Sequence, residues 1–175
     1  MTAMFERCTT EYIEAQDRLR LSAQLANGDT VVLWLTQRLL NRLVPHLIAW
    51  LERQTAGVST IPSVRATQTE AIQGFAQQAA GAQMKGELPV QAQSALTSWL
   101  VDVVDVAPGE DAVVLTFKSE QTRQAAVKLP AQQLRQWLGI VYRQYQRGEW
   151  PTAVWPEWVK ESGQLRGDPG GLVMH

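Results

Sequence analysis

This chain of 175 residues is poor in several residue types, and each shortage narrows what it can do. It has one cysteine, Cys8. No intramolecular disulfide can form, so nothing points to an oxidising compartment. Its two histidines, His46 and His175, lie far apart. No clustered metal-ligand set is legible, and no histidine base stands near Cys8 in sequence. Cys8 is therefore read as a small core or surface residue. Neither charge is in excess: 16 Lys and Arg face 17 Asp and Glu, a formal net charge of −1, which does not suggest a polyanion-binding protein.

Long apolar runs are also missing. No uncharged stretch approaches the roughly 20 residues of a membrane span. The opening MTAMFERCTTEYIEAQDRLR carries acidic side chains and no apolar leader segment. A cytoplasmic protein without a membrane partner is expected. Glycine is absent where phosphate loops need it: the two strand-to-helix junctions read WLTQRLL and KLPAQQL. No G-x-S-x-G elbow occurs. Asp102, Asp105, Glu110 and Asp111 lack the spacing of a calcium loop and read as a solvated turn. No catalytic set, cofactor or metal ion is assigned, and a non-enzymatic role is expected.

What the chain does have is pattern. Leu19, Leu21, Ala23 and Leu25 alternate with polar residues, the period of a half-buried strand. Asn27-Gly28 supplies the residues of a tight hairpin turn, and Val31, Leu33 and Leu35 return as a second strand. Thr36 then caps a helix whose stripe is Leu39, Leu40, Leu43, Val44, Leu47, Ile48 and Leu51. Pro45 inside it predicts a kink or a split. The helix should end near Arg53.

The same pattern recurs 94 residues on, Val31 falling on Ala125 and Leu40 on Leu134. Val113, Leu115 and Phe117 match the first strand, and Ala125, Val127 and Leu129 the second. Pro130 takes the place of Thr36, and Leu134, Trp137, Leu138, Val141, Tyr142 and Tyr145 form the helical stripe. Thr97–Val106 predicts a further strand ahead of this copy, and a weaker one around Thr9–Ala15 precedes the first.

The expected fold class is α+β. Two pseudo-repeated β-β-β-α units, 1–53 and 96–148, should share a mainly antiparallel sheet with the amphipathic helices packed on it. Residues 54–95 form a polar Gln/Ala-rich linker, partly helical, with Ile72, Phe75 and Met84 as its thin apolar stripe. Residues 149–175 form a Trp-rich arm and a flexible tail ending DPGGLVMH. The arm should be removable with the core left folded.

Two contact surfaces follow. Trp150, Trp155 and Trp158 fall within nine residues, and tryptophan is enriched in interface hot spots. They are the candidate partner-binding residues of a protein-interaction module, an adaptor or assembly factor that binds a protein or a second copy of itself as a homodimer. The alternative is nucleic-acid binding through Arg38, Arg42, Arg135 and Arg143 and the glutamines between them, which can meet phosphates and base edges. An amphipathic helix carries such charge on its wet face in any case.

Overall fold

The computed structural model describes residues 2–55, 62–120 and 122–164, and only the backbone of 62–67 and 164. The expected flexible tail DPGGLVMH and His175 lie outside the described residues. The fold is mixed α and β, with a seven-stranded sheet and four α-helices.

The strands are β1 (Ala3–Ile13), β2 (Arg18–Leu25), β3 (Thr30–Leu35), β4 (Ala95–Leu100), β5 (Val103–Pro108), β6 (Ala112–Lys118) and β7 (Gln124–Pro130). Their order in the sheet is β4-β3-β2-β1-β7-β6-β5. The pairs β1–β2, β2–β3, β5–β6 and β6–β7 are antiparallel, while β1–β7 and β3–β4 are parallel.

The β2–β3 hairpin sets Leu19 opposite Leu35, Leu21 opposite Leu33 and Ala23 opposite Val31. The β6–β7 hairpin sets Val113 opposite Leu129, Leu115 opposite Val127 and Phe117 opposite Ala125. These pairs bury the alternating side chains, because a period of two keeps them on one face. Gly28 takes φ +89° in the first hairpin turn, where a Cβ would be strained.

Three expectations need correction. The strand expected over Thr97–Val106 is two strands. Val101 N–H donates to the Trp34 carbonyl and Asp102 N–H to the Lys118 carbonyl. Successive amides of an extended chain point to opposite sides, so the segment leaves β3 for β6 within two residues. The first and last strands of the sheet are thereby joined, and its two edges meet at this corner. The weak strand expected near Thr9–Ala15 is β1, which begins earlier and ends at Ile13. Its alternation is broken by a register shift between Phe5 and Arg7, which hid it from a period-two reading.

Third, of the kink or split expected at Pro45, the split does not occur: helix α1 (Gln37–Gln54) runs through that residue. Pro45 and His46 lie on the exposed side, where water can replace the bond a proline removes. Thr36 caps the helix as expected, its Oγ1 accepting from Leu39 N–H at 3.2 Å.

Helix α3 (Ala131–Arg147) buries Leu134, Trp137, Leu138, Val141, Tyr142 and Tyr145. Within the linker, α2 (Pro62–Ala82) packs on α3 and on α4 (Glu157–Gln164), which starts directly after Pro156. Sheet residues, the α1 and α3 stripes and the tryptophans of the C-terminal arm join in a single core.

Candidate interaction surface

The tryptophans expected to face a partner are inside. Trp150, Trp155 and Trp158 are all buried. Trp155 meets Tyr142 and Tyr145 edge-on at 5.4 and 5.3 Å, and Trp150 meets Tyr12 and Tyr145 at 5.6 and 5.0 Å. Such edge-to-face pairs add to the burial they accompany. Aromatic density marked the arm, but the tyrosines of α3 and β1 that receive it are remote in sequence, so the direction in which the rings point was not legible. These three residues are core and offer no docking face.

Asp17 holds that arm in place, and no motif pointed to it. It adopts φ +48°, a left-handed conformation that Asp tolerates better than most residues. Its carboxylate accepts from Trp150 Nε1 at 2.8 Å and from Tyr12 Oη at 2.7 Å. Those two bonds, the Trp150 bond foremost, hold its carboxyl below the usual range.

The arginines separate. Arg38 and Arg42 are exposed on α1. Arg143 is half-buried. Arg135, expected on the wet face of α3, is buried against α2 and α4. Its Nη2 donates to Gln73 Oε1, and its guanidinium lies over the Trp158 ring at 5.5 Å. Burial lowers its pKa from 12.5 to about 10. The expectation that all four arginines, two on each helix, can meet a nucleic acid is therefore corrected at Arg135, which is too buried to reach a phosphate backbone.

Around Arg135, α2 is inverted. Among its described residues, the buried side chains are Gln73, Gln77 and Ala80, at helical spacing. Gln73 Nε2 donates to the Leu51 carbonyl at 3.2 Å and to Thr55 Oγ1. Gln77 Nε2 donates to the Arg135 carbonyl at 2.8 Å, and Gln136 Nε2 of α3 donates to the Ala80 carbonyl at 2.9 Å. Amides thus join α2 to the core.

The opposite face carries the large apolar residues. Phe75 is 73% exposed and Ile72 40%, while Gln73 is 0%. Gln68, Ala71, Gln78, Ala79 and Ala82 surround them on the exposed side, and none is charged. Of the expected linker stripe, Ile72 and Phe75 share the outer side of α2, whereas Met84 lies beyond the end of the helix and is half-buried. The outward direction of Ile72 and Phe75 follows from the inner positions, which are taken by glutamines that bond buried backbone carbonyls and a buried cation.

A second feature is a cavity of about 620 Å³ between β1 and β7. The two strands pair only at Ala3 and Met4. Beyond that, β1 turns away, and residues 84–90 cross the opening. Arg7 donates to the Leu88 carbonyl and pairs with Glu87 at 3.3 Å, and Val90 N–H donates to Thr9 Oγ1 at 2.9 Å.

Cys8 lines this cavity. Its side chain is open to the cavity, yet enclosure by protein pushes its pKa from 9.0 up to about 11, opposed by a bond from Thr10. A thiol held so far above neutrality is a poor nucleophile.

Among the described residues, no three His, Cys, Asp or Glu side chains gather as a metal-ligand group. No helix among them is long and apolar enough to cross a membrane. Comparison with protein-family models, with curated proteins and with solved structures finds no match to this chain.

Proposed function

We propose that the chain is a non-enzymatic protein-interaction module, an adaptor or assembly factor, whose contact surface is the outer face of α2 and whose partner there is a second copy of itself. The observation that carries this is the inversion of α2, with Phe75 outside at 73% exposure and Gln73 inside at 0%. Exposed apolar surface is unfavourable in water, and covering Phe75 and Ile72 recovers that free energy.

Two features favour a self-pair. Among the described residues, those exposed around Phe75, namely Gln68, Ala71, Gln78, Ala79 and Ala82, carry no charge, which favours the meeting of two copies without repulsion. Ile72 stands at the middle of the 21-residue helix and Phe75 one turn on. A twofold axis between them sets Phe75 of each copy beside Ile72 of the other, the self-complementary geometry of a C2 dimer.

The same proposal takes the sheet as two β-β-β-α units of one pattern, mainly antiparallel. Adding 94 to both members of Leu19↔Leu35 gives Val113↔Leu129, and of Leu21↔Leu33 gives Leu115↔Val127. The parallel pairs are related by exchange: adding 94 to Ala3 and subtracting 94 from Ala125 gives Thr97↔Val31, and the same step takes Met4↔Ala126 to Ser98↔Val32. The first strands depart from the offset. Thr9 pairs with Ser22, whereas Val103 pairs with Lys118, two residues beyond the equivalent of Ser22.

Co-expression of two differently tagged copies tests the self-pair. Each tag should recover the other copy, and Phe75→Ser in both should abolish recovery. Recovery unaffected by Phe75→Ser would place the contact elsewhere. A preparation that carries nucleic acid removable by salt would favour the arginine alternative, now resting on Arg38 and Arg42.

A further inference from the structure

The β1–β7 junction has a counterpart elsewhere in the sheet. The parallel pair β3–β4 stays zipped over Thr30–Trp34, and the Val101 bond to the Trp34 carbonyl extends it. The pair β1–β7 has two residue pairs and then parts. The register shift between Phe5 and Arg7 deflects β1 where the pairing stops. The opening is therefore a local feature of β1 and not a limit of this kind of strand pairing.

Phe5, Leu115, Phe117 and Val127 line the cavity from the sheet, and Trp137 and Ile140 from α3. All of these except Ile140 are buried, Val127 and Trp137 slightly less completely than Phe5, Leu115 and Phe117. Charged side chains occur only in two segments of the lining: Glu6 and Arg7 on β1, Lys85 and Glu87 on the crossing segment. Two acids and two bases cancel, and Arg7 is already paired with Glu87. A charged molecule would lose its hydration over the apolar floor, and the four charged side chains stand on β1 and the crossing segment and not on that floor. An apolar body has no hydration of charge to lose on entering, and the uncharged polar lining, Thr9, Thr10, Gln132 and Gln136 among it, can meet a hydroxyl or carbonyl that it carries. The volume, about 620 Å³, falls in the range of small-molecule sites.

The cover over this opening is light. Residues 84–91 form no helix or strand after the turn at Gln83. Side chains of β1, Arg7 and Thr9, fasten it at Glu87, Leu88 and Val90. Gly86 has open space around it.

We propose that the β1–β7 cleft is a binding site for an uncharged, largely apolar small molecule, which enters when the 84–90 segment is released by Arg7. The site is independent of the α2 face and of self-association.

The sole cysteine lines the cavity and reports on it. Nile red, an uncharged apolar dye, serves as the probe on the full chain, with the anionic dye 1-anilinonaphthalene-8-sulfonate as its comparison. Cys8 labelling by N-ethylmaleimide is followed at alkaline pH, where the thiolate fraction suffices. Nile red is expected to saturate at one dye per chain and to exceed the anionic dye in affinity. At ten times its dissociation constant it should slow Cys8 labelling about tenfold, since only the free fraction reacts.

Arg7→Ala should speed labelling of the free protein, because the cover then lacks its ion pair. Val127→Trp should abolish dye binding by filling the floor. Should Val127→Trp fail to fold, the protection of Cys8 in the unmodified chain decides by itself. Absence of saturable Nile red binding, dye binding that leaves Cys8 labelling unchanged, or equal affinity for the anionic dye would overturn the proposal.

Discussion

Gln73 occupies a position that a large apolar residue would fill in most packed helices. Its amide serves both sides of the junction, donating to the Leu51 carbonyl and accepting from Arg135. Gln73→Ala leaves the buried guanidinium without that acceptor. A stranded polar group of this kind costs about 1–3 kcal/mol. Urea unfolding of Gln73→Ala should show that loss, and an unchanged midpoint would mean that Arg135 finds another acceptor. Neither Gln73 nor Arg135 was legible as a pair, because 62 residues separate them and each suits a solvated helix face.

Titration follows from Cys8, Tyr145 and Asp17. The folded thiol titrates near 11 and the unfolded one near 9.0. Below pH 9.0 both states keep the proton and this group adds no pH dependence. Between the two values the unfolded chain releases its proton and the fold does not, so stability falls as pH rises. Burial raises the Tyr145 hydroxyl as well, and it adds to the loss above the ordinary tyrosine range. Cys8→Ser should remove the first part of the alkaline decline, and thiolate absorbance should titrate near 11 in the intact chain. Asp17 acts at the other end. Its depressed carboxyl contributes stability above the usual carboxylate range, lost as pH falls through the folded value. An acid limb of the stability profile identical in Asp17→Asn would contradict that role.

Among the elements, the hairpins and the helices α1 and α3 were legible because each declares its own period. Leu21 faces Leu33 and Leu115 faces Val127 as alternation requires, and Leu43 is buried in the α1 stripe as spacing requires. Leu43→Asp puts a charge there and should unfold the protein, as read by far-ultraviolet circular dichroism. Three elements were not legible, each for a reason outside its own residues. The split at Val101–Asp102 depends on two different neighbours, β3 and β6. The start of β1 depends on a register shift. The C-terminal arm is core because tyrosines on distant elements meet its rings. That last point reverses the expectation that 149–175 can be removed: deletion from Glu149 should unfold the chain. Trp155→Ala alone should cost about 3–5 kcal/mol, the usual penalty for emptying a large aromatic site. A thermal midpoint unchanged by Trp155→Ala would mean that the arm is not packed as described.

At the scale of the molecule, the sheet joins its own edges at Val101 and Asp102, so its end strands are consecutive in the chain. Each end strand is bonded to a single neighbour, and no strand pairs with its outer edge among the described residues. The outer face of α2 is a different kind of surface. Phe75 stands in water, its exposed neighbours among the described residues are uncharged, and its helix is fastened to the core by glutamine amides. The central claim is that a second copy covers this face. Size-exclusion chromatography with light scattering, on the intact chain and on Phe75→Glu at low and high salt, tests it most directly. The account predicts a dimer whose mass does not change with salt, and a folded monomer once Phe75 is replaced by Glu. A monomer at all concentrations, or a dimer that survives Phe75→Glu, would contradict it.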